Sequence, residues 1–261
     1  NVINHNGNFL SCAQDSKRCN QTHGIYTTGT NWVITNNLIY DNLAYGIHVA
    51  GYPWCEDGNC YGGGAKTKTD PSYAGASGWL IANNTIAYNN NRAGIILWQP
   101  ATTNIKIISN IFYENSQKLA VGTAQGVDFL NSGGGHIIQD NLCYATGSGG
   151  TACIASSGAG KYTESGNIMN ANPNFEGAGA TISGVPNFKL RTGSPAIDKG
   201  QSLPQVTWDH AGGKRPFGAA FDIGAYEFGS PPDSGSPPPN PTGGSVPGGG
   251  AGGGGLGNCF K

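Results

Sequence analysis

Charge is scarce in this chain. Only 11% of its 261 residues are Asp, Glu, Lys or Arg, and 14 basic residues stand against 15 acidic ones. A surplus of Lys and Arg is what draws a protein to phosphate backbones or anionic lipid, so nucleic acid and membrane surfaces are not expected as partners. Long apolar runs are lacking too, since none approaches the roughly 18 residues that a membrane span needs. No basic-then-apolar leader precedes Asn1, so an export signal is expected to have been removed already. Also missing are the closely spaced thiolates with histidines that would hold zinc. What is abundant is glycine, 44 residues of it. With so few charges, the surface must hydrate through neutral Asn, Thr and Ser, and such a surface associates easily.

The seven cysteines fall mostly into near neighbours: Cys12 with Cys19, Cys55 with Cys60, and Cys143 with Cys153, leaving Cys259 alone. Local disulfides formed in an oxidising, extracellular compartment are the expected use. Cys259 would then make an intermolecular bridge or anchor the chain's end.

Self-similarity organises the rest. Asn37-Leu38-Ile39-Tyr40-Asp41-Asn42 returns as Asn84-Thr85-Ile86-Ala87-Tyr88-Asn89 and as Asn110-Ile111-Phe112-Tyr113-Glu114-Asn115, with related copies at Asn1–Asn6 and Asn141–Thr146. Each later copy follows an alternating segment such as Trp32-Val33-Ile34-Thr35. Second short strands open on glycine: Gly24-Ile25-Tyr26-Thr27, Gly46-Ile47-His48-Val49, Gly94-Ile95-Ile96-Leu97 and Gly126-Val127-Asp128-Phe129. Short strands, period-2 alternation and units in the twenties predict an all-β, single-stranded parallel β-solenoid. The turn asparagines are expected both to adopt the left-handed backbone region and to stack their amides into a ladder.

These repeats are similar to the right-handed parallel β-helix proteins of bacterial secretomes, the pectate-lyase-like superfamily. That resemblance implies a right-handed β-helix, and a group containing polysaccharide lyases, hydrolases and non-catalytic surface proteins. The β-helix is expected over 1–228, with a closing segment from about 172. Asn172-Pro173-Asn174-Phe175, Ser194-Pro195-Ala196-Ile197-Asp198-Lys199-Gly200, Arg215-Pro216 and Asp222-Ile223-Gly224-Ala225-Tyr226-Glu227 resemble the ending of many such proteins. Its acids, Asp198, Asp209, Asp222 and Glu227, are expected to cap backbone groups and pair with Lys199, Lys214 and Arg215. A Pro/Gly-rich tail follows over 229–261 and cannot order itself alone. Its final Cys259-Phe260 resembles the Cys-Phe-Ile box near the C-termini of some exported bacterial proteins.

In the second strands, Ile25, Ile47, Ile95 and Val127 are expected to face inward, and Tyr26, His48, Ile96 and Asp128 to form an outward ladder at about 4.8 Å per rung. Tyr45, Arg92, Trp98 and Gln125 flank it, and a long excursion between Gly51 and Gly78 carries Lys66. Tyr26, Tyr45, His48, Trp98 and Asp128 are therefore candidates for binding a sugar chain. A lyase would need a base and a cation; His48, Arg92, Lys66 and Tyr26 could supply parts, with calcium as its candidate ion. Otherwise no cofactor and no metal is expected. Ile96 at the ladder's centre, and His48 two coils from Asp128, argue against catalysis. His136 and His210 stand without ligand partners at metal spacing.

Asn1 lies within a coil, so an open rung is expected there, a template for stacking. A tail of about 30 residues reaches on the order of 100 Å when extended, enough to run along a neighbouring subunit. Three readings follow: a self-assembling extracellular or cell-surface structural protein, homo-oligomeric or filamentous through end stacking and tail docking; a lyase acting on an acidic polysaccharide; or a non-catalytic carbohydrate-binding, adhesive module.

Overall fold

The computed structural model describes residues 1–6, 22–51, 54–56, 59–61, 75–89, 93–116, 125–146 and 152–231, with 54–56 and 59–61 as backbone only. Cys12, Cys19, Lys66, Arg92, Cys259 and nearly all of the tail lie outside these residues. The protein is all-β, built of stacked parallel sheets. After β1 (Val2–Asn4), one circuit of the chain forms β2 (Ile25–Thr27), β3 (Gly29–Thr30), β4 (Val33–Thr35) and β5 (Leu38–Tyr40). The next gives β6 (Ile47–Ala50), a hairpin of β7 (Trp54–Glu56) and β8 (Asn59–Tyr61), then β9 (Ala76–Ser77), β10 (Leu80–Ala82) and β11 (Thr85–Ala87). A third supplies β12 (Ile95–Trp98), β13 (Thr102–Thr103), β14 (Lys106–Ile108) and β15 (Ile111–Tyr113). Then come β16 (Val127–Leu130), β17 (His136–Gln139) and β18 (Leu142–Tyr144), followed by β19 (Tyr162–Ser165) and β20 (Ile168–Met169).

Corresponding strands of successive circuits pair in parallel. The sheets run β1-β5-β11-β15-β18-β20, β19-β17-β14-β10-β4, β16-β12-β6-β2 and β13-β9-β3. Register keeps like above like: Ile3, Ile39, Ile86, Phe112, Cys143 and Met169 stack in one column. Ile39, Ile86 and Phe112 have no exposed surface, and they share one interior with Ile47, Ile81, Ile95, Leu97 and Ile107. A period-2 strand offers one row to this interior, and repetition turns each row into a continuous apolar stack.

Two asparagine ladders edge the six-stranded sheet. Along Asn1, Asn37, Asn84, Asn110, Asn141 and Asn167, every asparagine but the last donates a side-chain N–H to the next side-chain oxygen at 2.9–3.1 Å. Asn6, Asn42, Asn89 and Asn115 repeat this at 2.8–3.0 Å. One expectation is corrected here. The left-handed residue is the one before each ladder asparagine: Asn36, Asn83, Ser109 and Asp140 in the first turn, His5, Asp41, Tyr88 and Glu114 in the second. The ladder amide must point into the turn to collect backbone carbonyls, so bending the chain falls to its neighbour. Glycine before each second strand answers to the same crowding. A Cβ on Gly46 would sit 2.7 Å from Ile86 and 2.9 Å from the Asn89 amide nitrogen.

The closing segment lies along the flank of the stack. Phe175 and Phe188, from the antiparallel pair β21 (Phe175–Gly177) and β22 (Asn187–Leu190), pack with Leu190, Ala196 and Ile223 over the outer Leu38, Tyr40, Ile111, Tyr113 and Leu142. Leu203, Val206 and Phe221 cover Leu80, Ala82 and Ile108 of the neighbouring sheet. Its acids grip backbone N–H groups: Asp209 those of Ala211, Gly213 and Glu227, Asp222 those of Asp198 and Phe228, Asp198 that of Ala220. Arg215, fully buried at its guanidinium, pairs with Glu227 and reaches Asn36 Oδ1 and the Gly224 carbonyl. The Cys143–Cys153 disulfide lies within the core, and the hairpin register sets the Cys55 backbone opposite Cys60.

Candidate functional site

The four-stranded sheet carries the one place among the described residues where two histidines meet within a cluster of aromatic rings. Register stacks Tyr26, His48, Ile96 and Asp128 on its outer side, in that order. Most of this outward ladder is covered by other residues. His48, Ile96 and Asp128 are buried at 7%, 2% and 6% exposure, whereas Tyr26 stands at 50%. Ala44, Tyr45, Ala93 and Trp98 pack against Ile96 in a small second core, and Ile96 between His48 and Asp128 keeps those two from acting together. Asp128 is engaged internally, accepting from the Phe129 N–H at 2.8 Å and from Ser157 Oγ at 3.5 Å.

At the Tyr26 end the rings close around His48. Its centroid lies 4.6 Å from Tyr26, 5.1 Å from Trp98 and 6.1 Å from Tyr45. His23, from the turn before β2, completes the group, stacked on Tyr26 and Tyr45 and only 4.5 Å from the His48 ring. His23 did not stand out in the sequence, although it occupies the repeat position before glycine that Tyr45, Ala93 and Gln125 fill in later circuits. Alignment of that column is the signal that would have found it.

The hydrogen bonds give the pair a direction. The Tyr45 N–H donates to His23 Nδ1 at 3.4 Å, so neutral His23 carries its hydrogen on Nε2. That nitrogen is 3.0 Å from His48 Nδ1 and donates to it. His48 in turn carries its hydrogen on Nε2, which is buried and has no hydrogen-bond partner among the described residues. Burial pushes His23 down to about 4. Burial, reinforced by His23, pushes His48 down to about 3. Both imidazoles are neutral at neutral pH.

The remaining histidines serve the frame. His136 Nδ1 accepts from the Ile105 N–H at 3.3 Å, and His210 Nδ1 donates to the Asn36 carbonyl at 2.9 Å. A shallow cleft of about 180 Å³ lies between β17 and β19 beside Lys161 and Tyr162. Among the described residues no three His, Cys, Asp or Glu side chains gather in a way that could hold a metal ion. Nor is any helix there long and apolar enough to cross a membrane. Comparison with protein-family models, with curated proteins and with solved structures finds no match to this chain.

Proposed function

We propose that this chain is a right-handed parallel β-helix of the extracellular or cell-surface kind, and that its Tyr26–His48–Trp98 face binds a glycan without cleaving it. The observation that carries this reading is the packing of two partly exposed rings, Tyr26 and Trp98, against a buried imidazole whose N–H has no acceptor among the described residues. Sugar rings offer C–H faces to aromatic rings and oxygens to such a donor. Proton abstraction is poorly served, because a histidine held near 3 or 4 is a weak base at neutral pH. The reading needs no cofactor.

Retention on a panel of immobilised glycans tests it, with chromatography of the eluted sugars as the check on turnover. Binding without fragments is expected, and Tyr26→Ala should weaken it about tenfold, in line with the roughly 0.5–1.5 kcal/mol that a specific aromatic contact supplies. Unsaturated or shortened products would move the face to the lyase reading. Failure to retain on every glycan would remove the proposal.

Self-assembly is a second reading with its own support. Among the described residues β1, β2, β3 and β4 are the terminal strands of their sheets at one side of the stack, and Val2, Tyr26, Trp32 and Val33 there are about half exposed. Unpaired strand edges beside apolar side chains are templates for another copy. Sedimentation at increasing concentration separates the readings: assembly requires growing particles, and glycan binding does not.

A further inference from the structure

The direction of the His23–His48 pair decides what kind of ligand the face can take, given the glycan-binding reading above. A metal ion bridging His23 Nε2 and His48 Nδ1 would force the His23 hydrogen onto Nδ1, against the Tyr45 N–H that already points there. Two donors would then face each other. The arrangement instead leaves one buried donor, His48 Nε2–H, without a partner among the described residues, on a ring packed against Tyr26 and Trp98.

We infer that His48 Nε2–H is the specificity-determining donor of this face and takes an uncharged oxygen of a neutral glycan, a hydroxyl, ring oxygen or acetamido carbonyl, in preference to a uronate carboxylate. A carboxylate brought against buried rings must shed its water, and only a cation or several donors offset that loss. No Lys or Arg occurs on β2, β6, β12 or β16, and the imidazoles are neutral. A neutral oxygen needs only the single N–H that is present. Tyr26, with half of its surface in solvent, is the most exposed of the rings around His48. The titratable groups around the pair are Tyr26 on β2, Tyr45 ahead of β6 and Asp128 on β16. Arg92 lies outside the described residues.

Calorimetry of the full chain with mixed-linkage β-glucan, xylan and galactomannan, against alginate and polygalacturonate, tests this between pH 5.5 and 8. The expected result is binding to at least one neutral polymer, tenfold or more tighter than to either acidic one, with an affinity that does not change with pH. His48→Phe keeps a ring and removes the donor, and it should cost tenfold or more. Should that variant fail to fold, nitrogen-detected imidazole spectra of the wild-type protein replace it: the Nε2-bound hydrogen should shift on adding oligosaccharide of the bound polymer. Preference for the acidic polymers, affinity rising as pH falls, an unchanged His48→Phe affinity or an unshifted Nε2 hydrogen would each overturn the inference and leave glycan binding standing. Binding to none of the five polymers would remove both.

Discussion

His23 Nε2 and His48 Nδ1 lie 3.0 Å apart, in the only imidazole–imidazole hydrogen bond among the described residues. The pair belongs to the folded state alone, and so it has a pH signature. Burial holds His23 at about 4, His48 at about 3 and His136 at about 4, whereas an unfolded histidine titrates near 6.5. Below 6.5 the unfolded chain takes up protons that the folded chain refuses. The stability contributed by the neutral rings is therefore complete above about pH 6.5 and is lost as pH falls toward 4. The expected loss between pH 7 and 4.5 is on the order of a few kcal/mol, each unit of pKa difference being worth about 1.4 kcal/mol. Urea unfolding at stepped pH measures it; equal midpoints at pH 7 and 5 would show the rings to be hydrated.

The asparagine ladder makes a sharper claim about position. Asn84 donates to the Ile34 and Ala82 carbonyls and to Asn110 Oδ1, and it accepts from the Asn37 backbone and side chain. Asn84→Ala strands several of these partners in a water-free interior, at about 1–3 kcal/mol for each one left unsatisfied. The protein should lose about 3 kcal/mol or more. Asn6, partly exposed at the ladder's end, donates among the described residues only to Asn42, so Asn6→Ala should cost under about 1 kcal/mol. Similar losses at both positions would show that stacking along the ladder is not what stabilises it.

How far the sequence reveals this molecule depends on whether a feature repeats. The column Ile39, Ile86 and Phe112 is legible because each circuit restates it at the same spacing, and register follows from the restatement. The split of labour at the turns was not legible, because the left-handed residue varies freely among Asn, Ser, Asp, Tyr and Glu. The burial of His48 and Asp128 escaped for another reason. Alternation assigns a side chain to the outer face of a sheet, and it is silent on what packs there. Tyr45 and Ala93 reach that face from the turns ahead of β6 and β12, and Trp98 reaches it from the end of β12 itself. His23 escaped because its circuit alone places an imidazole in that column.

Glycine before the second strands gives a test of interior crowding. A Cβ on Gly94 would lie 2.6 Å from Phe112 Cδ1 and 3.0 Å from Ile86 Cγ2, inside any tolerable contact. Gly94→Ala should cost about 1–3 kcal/mol through overpacking, and Phe112→Leu in the same chain should return part of it. Thermal melts of the single and double variants measure both. An Ala variant as stable as the parent would mean that the column has slack.

The closing segment hangs on one buried cation. Arg215 meets Glu227, the Asp222 and Gly224 carbonyls and Asn36 Oδ1, so it ties the segment to the β4–β5 turn. Removing one partner of such a pair leaves the other charge uncompensated, a loss of about 3–5 kcal/mol. Arg215→Met should therefore uncover the outer face that Phe188, Leu203 and Ile223 protect, and 172–228 should become sensitive to protease before the stacked strands do. Arg215→Lys keeps the charge but lacks the fork that reaches Asn36 and Gly224 together with Glu227, so it should rescue only part of the loss. The double change Arg215→Met, Glu227→Gln removes the charge conflict while still breaking the tie to Asn36, so it should recover stability more than protease resistance. If Arg215→Met and the double variant digest at the parent's rate, apolar packing alone holds the segment to the stack.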